Sequence, residues 1–379
     1  MKIIIKRDEF FKSLHAVEGS ADKKGTYPIL SYAKLSVKDG SYNLSTTNLN
    51  HESSINGKCE SIVVGECAVP VALLVDILKN TPSDAELSIE VQSCNEDGGV
   101  MKIQFGKSKF SLNILSSSEF PEIVCDEFKY ELKVKSEVIL RAINLSKDSI
   151  CKDESRFNIN GLLIHTAKNE SGENYINVVT TDSHRLTLVK IKAADDISIP
   201  HSIIPKKSLS QFESILKNAK DEEILMSFSD KKLRIKTNDS EFITKLVDST
   251  FPDYARVIPK NNDKKLIINR SDLSAALGRI SVVHRNEIVK GVKITISNDK
   301  MTLHCTNSLN DSIEEEVDVQ YSGDLFEASY NPSYISETIA VLQSSTGLEI
   351  SLGSSSSPIS IVGDKDDNAL YIVMPMKSY

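Results

Sequence analysis

The residues best suited to catalysis stand side by side at Thr181-Asp182-Ser183-His184-Arg185, where an acid, a hydroxyl and an imidazole are neighbours. The members of a Ser-His-Asp triad are normally assembled from distant segments of a chain. Neighbouring residues in a strand or tight turn also point to different sides of the backbone. This cluster therefore indicates a structural or binding role rather than a catalytic one.

No other pattern in the sequence indicates a catalytic, cofactor or metal centre. A GxxxxGKS or GxxxxGKT phosphate loop, GxGxxG, HExxH and GxSxG are all absent. The six cysteines form neither a CxxC pair nor a cluster with zinc spacing. Asp364, Asp366 and Asp367 stand close together, but a solvated turn is favoured there over a loose cation contact. We therefore expect no catalytic residue, no cofactor and no metal.

The composition limits the class of protein. With 379 residues, 40% apolar and 26% charged, the chain has the profile of a globular protein of two or three domains. Its net charge of −8 argues against tight, wrapped binding of nucleic acid, although one face can still be basic. The N-terminus lacks a signal-peptide core and no apolar run could span a bilayer, so we expect a cytoplasmic protein with no membrane partner.

Three landmarks recur in the same order, about 130 residues apart. Each copy starts with an amphipathic segment, continues to a strand ending in Thr and a polar residue, and then reaches a helix-starting proline. The copies are Phe10/Leu14, Thr47-Asn48 and Pro70; Ile139/Ile143, Thr181-Asp182 and Pro205; and Leu273/Leu277, Thr306-Asn307 and Pro332. A repeated unit builds architecture, whereas a single active site usually needs no repeat.

Each copy is predicted to contain two helices and about eight strands. In the first copy, helices run from Arg7 to Val17 and from Pro70 to Lys79. Asp39-Gly40 is predicted to turn the chain between strands at 29–37 and 42–46. Strand meanders with both helices on one side give an α+β domain. We expect three such domains, at residues 1–127, 128–258 and 259–379.

Several segments together resemble one family, the bacterial DNA polymerase III beta subunits, which are replicative sliding clamps. The resemblance extends over the full length and rests on Pro28-Ile29-Leu30, Thr47-Asn48-Leu49, Thr181 to Leu186, Lys245 to Asp248, Phe251 to Tyr254, Arg256-Val257 and Tyr371 to Met376. It implies three repeated clamp domains in a ring-shaped, head-to-tail homodimer. Twelve helices about 8–10 Å apart would surround a hole about 35 Å wide, enough for a duplex roughly 20 Å across.

The resemblance also implies a function and a set of partners. The ring would tether the replicative polymerase to DNA and confer processivity without being an enzyme. The implied partners are double-stranded DNA of any sequence, a second copy of the chain, the catalytic subunit of the polymerase, the clamp loader, and repair and replication-control proteins with a clamp-binding motif. An enzyme with its own nucleotidyl transfer is disfavoured because a nucleotide loop and a two-metal carboxylate cluster are missing. A peptide-binding scaffold that never encircles DNA remains an alternative.

Basic residues facing the hole would attract phosphate without reading sequence. The candidate DNA-binding residues are Lys24, Arg141, Lys152, Arg156, Phe157 and Lys207, with Lys12, Lys147, Lys217 and Arg279 as further basic residues of that face. By resemblance, Lys24, Arg156 and Phe157 fall where family members touch DNA. Asn158 stands where better-known relatives have an aromatic residue. For each basic residue the alternative is an ordinary solvated charge.

The family binds its partners through one groove between the second and third domains. The residues that match its lining are Ile159, Thr181, Ser183, His184, Arg185, Leu186, Pro252, Arg256, Val257, Val373, Met374, Pro375 and Met376. Methionine suits a site that accepts several peptides, and Arg185 or Arg256 can meet a carbonyl or an acidic partner residue. Ser183 replaces the family's usual glycine. The alternative is that Val373 and Met374 belong only to the last core strand.

Ring closure is predicted from opposite charges on two edge strands. The predicted dimer contact brings Lys107, Lys109, Phe110 and Leu112 of one chain to Val282, Val283, Glu314 and Glu315 of the other, with Asp311 and Glu316 extending the acidic edge. Charges of this kind set register more than affinity, and the apolar residues would supply most of the hold. The alternative is that the acidic run only protects an exposed edge from aggregation.

Overall fold

The computed structural model describes residues 1–22, 27–95, 98–124, 127–285, 287 and 291–376. Over these ranges the chain forms six α-helices and 25 β-strands, as expected for an α+β protein. The chain divides into two compact units. Unit 1 consists of Met1–Leu140 and Ile204–Leu246, and unit 2 of Arg141–Ile203 and Val247–Tyr379. No helix in the described ranges is long and apolar enough to cross a membrane.

Each of the three repeats contains two helices, as predicted. They are α1 (Arg7–Val17), α2 (Val71–Lys79), α3 (Ser136–Ser146), α4 (Lys206–Asn218), α5 (Arg270–Val283) and α6 (Pro332–Val341). Pro70 and Pro205 directly precede α2 and α4, and Pro332 is the first residue of α6. Proline is tolerated at these places because its missing N–H would find no partner in the first turn of a helix.

The strands also follow the repeat, with nine in the first copy and eight in each of the others over the described ranges. The first copy has β1 (Lys2–Lys6), β2 (Tyr32–Lys38), β3 (Ser41–Thr47), β4 (His51–Lys58), β5 (Glu60–Val63), β6 (Gly65–Pro70), β7 (Glu86–Asn95), β8 (Gly98–Phe105) and β9 (Ser108–Ile114). The second has β10 (Tyr130–Lys135), β11 (Gly161–Lys168), β12 (Asn174–Thr181), β13 (Arg185–Lys192), β14 (Ser202–Pro205), β15 (Glu223–Phe228), β16 (Lys232–Lys236) and β17 (Ser240–Lys245). The third has β18 (Lys264–Asn269), β19 (Val292–Ser297), β20 (Lys300–Thr306), β21 (Ser312–Tyr321), β22 (Phe326–Tyr330), β23 (Gly347–Leu352), β24 (Ile359–Gly363) and β25 (Asp366–Val373).

Unit 1 contains two sheets, with strand orders β5-β1-β7-β8-β9 and β10-β15-β16-β17-β4-β3-β2-β6. Phe10 and Leu14 of α1 are fully buried, in one cluster with strand residues such as Ile3 and Leu35. Their i, i+4 spacing places both side chains on one face of the helix. Burial of such a side chain contributes about 1.5–3 kcal/mol, so this face holds the helix on the sheet.

Unit 2 is built on one sheet of twelve strands, in the order β14-β11-β12-β13-β25-β24-β23-β18-β21-β20-β19-β22. The second and third repeats are joined in this sheet by the antiparallel pair of β13 and β25, which we call the joint. Arg185 lies opposite Val373 there, and Leu186 opposite Ile372. The helices α5 and α6 pack against each other in this unit. The joint places the end of the last strand beside the loop that starts β13.

The sheets continue across the predicted domain limits. In unit 1, β17 of the second repeat pairs with β4 of the first. In unit 2, β25 of the third repeat pairs with β13 of the second. Strands so distant in sequence leave no local signal of their pairing, which explains why the sequence analysis did not predict it. The limits at residues 127 and 258 remain a prediction.

One predicted strand begins later than expected. The strand predicted at 29–37 starts at Tyr32, because Pro28–Ser31 form a short 3₁₀-helix with the proline in its first turn. The hairpin turn predicted at Asp39-Gly40 is confirmed. Gly40 has a φ of 70°, a left-handed conformation that glycine adopts without the steric cost of a side chain.

Candidate partner-binding groove

The loop that joins β12 to β13, residues 181–185, is closed by its own side chains. The Thr181 hydroxyl donates to the carbonyl of Arg185 at 2.6 Å and accepts the N–H of Ser183 at 3.1 Å. The Asp182 carboxylate accepts the N–H groups of His184 and Arg185 at 2.9 and 3.0 Å. Asp182 therefore binds the backbone, and the loop is a self-closing turn of the kind that Thr and Asx residues favour.

The same loop recurs in the other two repeats. In the first, the side-chain oxygen of Asn48 accepts the N–H groups of Asn50 and His51, both at 3.0 Å. In the third, the side-chain oxygen of Asn307 accepts the N–H groups two and four residues ahead, at 3.0 and 2.9 Å. The Thr-plus-polar landmark of the sequence thus marks a loop whose polar side chain accepts backbone N–H groups in all three repeats, although the third loop is one residue longer.

One residue in each loop has a left-handed backbone. The φ angles are 69° at Leu49, 79° at Ser183 and 66° at Asn310. A residue other than glycine pays about 1–2 kcal/mol for this conformation because its Cβ approaches the following carbonyl. A glycine, which the resemblance leads us to expect at Ser183, would avoid that cost.

Arg185 or Arg256 was predicted to meet a carbonyl or an acidic residue of a partner, and in the structure Arg185 is bound by groups of its own chain. Its side chain is buried, with Nε donating to Asp182 at 3.1 Å and Nη1 donating to Glu337 at 2.5 Å. Nη2 donates to the carbonyl of Asp148, and the guanidinium lies 4.6 Å from the ring centre of Tyr334. All these groups belong to the chain itself, so Arg185 fixes the loop against α6 instead of reaching outward.

The helix α6 supplies groove residues that the sequence analysis missed. The ring of Tyr334 stacks on that of His184, with centres 6.3 Å apart and planes 19° from parallel. His184 is exposed, so the stacked pair presents an aromatic edge at the loop. Tyr334 and Glu337 are three residues apart on one helix face, and this i, i+3 spacing was the only local signal for them.

The deepest predicted lining residues form a packed base. Ile159 and Leu186 are buried in one cluster with Phe251 and Ile372. Val373 is fully buried as well, which agrees with the alternative that it is a core-strand residue. These side chains support the exposed residues above them and do not reach the surface.

The wall of the candidate groove is the segment 251–257, which is mostly exposed after the buried Phe251. Pro252, Arg256 and Val257 are exposed, and Arg256 Nε donates to Asp253 at 2.8 Å. A depression with a cavity volume of about 580 Å³ lies beside this wall. Its lining includes Arg256, Val257, Ile258, Pro358 and Met374. Another depression, of about 300 Å³ in unit 1, has a polar lining around Lys34 and therefore lacks the apolar character expected of the groove.

The end of the chain is bound to the same region. The N–H of Met374 donates to the carbonyl of His184 at 2.9 Å, and that of Met376 to the carbonyl of Ser329 at 2.7 Å. Met374 is exposed, whereas Pro375 and Met376 are half-buried. These bonds place the flexible Met374 side chain between the loop and the wall, where it could adapt to different ligands.

The residues predicted to bind DNA differ in their surroundings. Arg156 donates to the carbonyl of Asp182 at 3.4 Å and to the Ser183 hydroxyl, so it lies on the loop of the groove. Lys152 and Phe157 are exposed on the same segment, and Lys207 is exposed on α4 in unit 1. Lys24 lies outside the described residues. Of this set, Arg156 is the residue whose surroundings connect it to the groove.

Arg141 is committed to an ion pair within unit 2. Its guanidinium donates to the carboxylate of Asp366, which is 1% exposed and also accepts from Ser344 at 2.5 Å and Ser345 at 2.9 Å. Burial disfavours ionisation of Asp366, but these three donors outweigh it and hold the pKa of the carboxyl below its usual value. Asp366 is therefore a structural anion. Over the described ranges no three His, Cys, Asp or Glu residues come together as metal ligands do.

Among the residues predicted for the dimer contact, Leu112 has a buried side chain. Its side chain is 2% exposed in the core of unit 1, because alternate residues of β9 face inward. Lys107, Lys109 and Phe110 are exposed at the end of the five-stranded sheet, where β9 is the outermost strand.

The acidic edge in unit 2 is partly neutralised by its own chain. Glu315 accepts two hydrogen bonds from Arg279, at 2.7 and 2.6 Å, and Glu316 pairs with Lys300 at 2.5 Å. Arg279 holds the pKa of Glu315 below its usual value through these bonds. Val282, by contrast, is 63% exposed at the end of α5.

Comparison with known proteins identifies the family. Residues 1–124 match the N-terminal domain of the DNA polymerase III beta subunit, residues 133–253 its central domain and residues 255–377 its C-terminal domain. The beta sliding clamps of Caulobacter vibrioides and Escherichia coli K12 are each 29% identical to this chain over 378 residues, with all of both chains covered.

Solved structures agree with this match. A Caulobacter crescentus beta sliding clamp with PEG bound superposes with a TM-score of 0.94 at 29% identity, covering 100% of this chain and 99% of the other. A sliding clamp from Bartonella birtlesii bound to griselimycin gives a TM-score of 0.93 at 30% identity, with both chains fully covered. The chain belongs to the DNA polymerase III beta subunit family, the beta sliding clamps, which are non-catalytic processivity factors of DNA polymerase III.

Proposed function

We propose that this chain encircles duplex DNA and tethers the replicative DNA polymerase, which makes synthesis processive. The observation that carries the proposal is the match of three successive repeats to the three domains of one clamp family. The partners would be double-stranded DNA, the catalytic subunit of the polymerase, the clamp loader and other proteins with a clamp-binding motif. The proposed location is the cytoplasm.

The proposed assembly is a head-to-tail ring of two chains. Two edges support it: β9 is the outermost strand of its sheet, and residues 312–318 of β21 pair with β20 alone among the described strands. Open edges of this kind can pair with another chain. The other partner of β21, β18, covers only residues 319–321.

The pairing between repeats within the chain gives a register for this contact. Thr244 of β17 lies opposite His51 of β4, and Val373 of β25 lies opposite Arg185 of β13. In both pairs, the residue that follows Thr244 or Val373 donates its backbone N–H to a carbonyl of the adjacent self-closing loop, at 2.9 Å. Two joints therefore share one geometry, and we take the third joint, between chains, to share it too.

In β9 we take Leu112 as the equivalent of Thr244 and Val373, since each of the three is itself buried and lies opposite a buried apolar residue of the preceding strand. In the third loop the closing carbonyl belongs to Asp311. The shared geometry therefore sets Leu112 opposite the partner's Asp311. The next opposite pairs are Phe110 with the partner's Ile313, Lys109 with the partner's Glu314 and Lys107 with the partner's Glu316.

The charges agree with this register independently. Lys109 points to the outer face of β9 and would meet one glutamate, and Lys107, in the turn before β9, would meet another. Phe110 on the inner face would meet an isoleucine. Opposite charges fix register and speed association, and the apolar pair adds hold. Because Glu316 already pairs with Lys300, its contribution would be smaller than that of Glu314.

Partner peptides would bind at the groove in unit 2. The support is the exposed wall at 251–257, the adaptable Met374, the stacked edge of His184 and Tyr334, and the buried apolar base. A relative with 30% identity was solved with griselimycin bound, and we propose that this chain binds the same compound in its groove. For DNA, the exposed Lys152, Phe157 and Lys207 are the proposed contacts, together with Lys24 and Arg156.

A primer-extension assay tests the tethering. On a primed circular template with the cognate polymerase and clamp loader, the wild-type chain should lengthen the products. Met374→Asp should shorten them to the length seen without the chain, because a charge replaces the adaptable apolar contact. Leu325→Asp is the matched control, since Leu325 is exposed in unit 2 but is not part of the groove. Equal product lengths for both variants would contradict the proposed groove.

A further inference from the structure

The wall of the groove is tied to the sheet by three side chains. Tyr254, in the wall segment 251–257, has its hydroxyl 2.9 Å from His165 Nε2 and 3.0 Å from Asn177 Nδ2. His165 and Asn177 lie opposite each other on β11 and β12, and both are buried. The wall therefore rests on two neighbouring strands through one phenol oxygen.

The hydrogen-bond partners determine which atoms of His165, Tyr254 and Asn177 carry the hydrogens. His165 Nδ1 lies 3.0 Å from the carbonyl of Thr166, which can only accept, so Nδ1 carries the hydrogen. In a neutral ring Nε2 is then an acceptor and takes the O–H of Tyr254. The amide of Asn177 donates to the same phenol oxygen. With His165 neutral, both ring nitrogens and the phenol hydroxyl have partners, whereas Asn177 Oδ1 is buried without one.

The surroundings oppose a charge on His165. Its side chain is 3% exposed, and burial lowers its pKa. The hydrogen bond to the Thr166 carbonyl raises the pKa by less, and His201, whose ring centre lies 4.2 Å away, lowers it further. Lys190 of β13 lies opposite Asn177, so it adds positive charge to the same sheet face. Asp253 is the acid next to Tyr254. Burial first, and then Asp253, raises the pKa of the phenol, which therefore stays a donor.

The other repeats lack this link. The position opposite Asn43 in the first repeat is Ser36, and the position opposite Thr302 in the third is Thr295. Asn43, Asn177 and Thr302 all stand four residues before the threonine of the self-closing loop. Of the equivalent residues Ser36, His165 and Thr295, the histidine therefore lies in the second repeat, which carries the groove loop.

We propose that His165, Asn177 and Tyr254 form a pin that positions the groove wall, and that protonation of His165 releases the wall and weakens partner binding. The proposal rests on the proposed role of the groove. A protonated His165 would donate from Nε2, so the Tyr254 hydroxyl would lose its acceptor and the buried ring would carry a charge beside His201. The wall holds Pro252, Arg256 and Val257, so its release would disturb the ligand contacts directly.

Binding of griselimycin to the full-length protein, measured by calorimetry at about pH 7.5 and about pH 4.5, tests the pin, and the lower pH is chosen because burial lowers the pKa of His165. We expect binding by the wild type to weaken at the lower pH by up to about fivefold, the effect of a buried hydroxyl left without an acceptor. Tyr254→Phe should bind about fivefold more weakly at the higher pH and lose little more at the lower. His165→Gln, which keeps a neutral acceptor, should remove the difference between the two pH values.

Two further variants separate the pin from other effects. Tyr175→Phe also removes one phenol hydroxyl, bound to Glu173 outside the wall, and should bind like the wild type at both pH values. His184→Gln removes the exposed imidazole of the groove and should keep the wild-type ratio between the two pH values. The proposal is overturned if Tyr254→Phe matches the wild type at both pH values, or if His165→Gln keeps the wild-type ratio.

Hydrogen exchange of the free protein tests the pin without any ligand. After correction for intrinsic rates, amides of the 251–257 wall should lose protection in the wild type at the lower pH and in Tyr254→Phe at both. Unchanged protection in Tyr254→Phe would overturn the pin. A wild type that shows the exchange effect but binds no griselimycin would count against the proposed groove and leave the pin standing.

Discussion

At the scale of the residue, the proposed groove includes a loop whose side-chain-to-backbone hydrogen bonds recur in all three repeats. Asp182 in unit 2 and its counterparts Asn48 and Asn307 each accept backbone N–H groups of their own loop. Asp182 differs because its second oxygen also accepts from Arg185, which is held in turn by Glu337 on α6. One side chain therefore closes the loop and connects it to the helix that carries Tyr334.

Replacing Asp182 tests this double role. Asp182→Ala should lower the free energy of unfolding by about 2–3 kcal/mol, because two backbone donors and a buried guanidinium lose an acceptor. Asp182→Asn should cost only about 1 kcal/mol, since it keeps the backbone acceptor but loses the charge-assisted bond. Chemical denaturation measures both. Asp230→Ala removes an exposed ion pair with Lys129 as a control, and an equal loss there would count against this account.

Sequence reasoning found the loops but not what surrounds them. The Thr-plus-polar pair was visible because its hydrogen bonds are local. The partners of Arg185 were not, since Asp148 and Glu337 come from distant segments and no local pattern marks them. Leu112 was misjudged because neighbouring residues of an edge strand alternate between core and solvent, and the sequence analysis treated both faces as exposed.

At the scale of the element, one buried carboxylate connects three elements of unit 2. Asp366, at the start of β25, binds Arg141 of α3 and the serines at 344 and 345 that follow α6. A helix, a turn and a strand therefore meet on one carboxylate. The helix starts at Pro205 and Pro332 were predicted from the prolines themselves, which are a local signal. The bond between Arg141 and Asp366 joins residues more than 200 positions apart, so no local signal could predict it.

The pKa of Asp366 gives a prediction for acid stability. Because the pKa is lowered in the folded state, its contribution is present above the unfolded value of about 3.9 and is lost as the pH falls through the folded value. Arg141→Met should raise the folded pKa, so thermal unfolding should show a lower Tm at neutral pH and an acid loss that begins at higher pH.

The matched control for Arg141→Met is Lys293→Met. Both cations are 52% exposed, but the partner of Lys293, Glu327, is itself exposed, whereas Asp366 is buried. Removal of Lys293 should change the Tm little at any pH. If the two variants gave the same pH profile, burial of the acid would not be the cause.

At the scale of the whole molecule, the internal joints of the repeats predict how two chains meet. Lys109→Glu should raise the dissociation constant of the dimer about tenfold, because in the proposed register it faces the partner's Glu314. Adding Glu314→Lys should restore the dimer, whereas adding Glu316→Lys should restore it less. Analytical ultracentrifugation measures all three. Better rescue by Glu316→Lys would show that the register is wrong.

The central claim is that the chain encircles DNA, and one measurement tests it most directly. The labelled protein is loaded on a nicked circular duplex with its clamp loader and ATP, and the DNA is then cut once with a restriction enzyme. We predict that the protein stays on the circle through gel filtration and is lost after the cut, because a ring escapes over free ends. Equal retention on the circle and on the cut DNA would contradict the account.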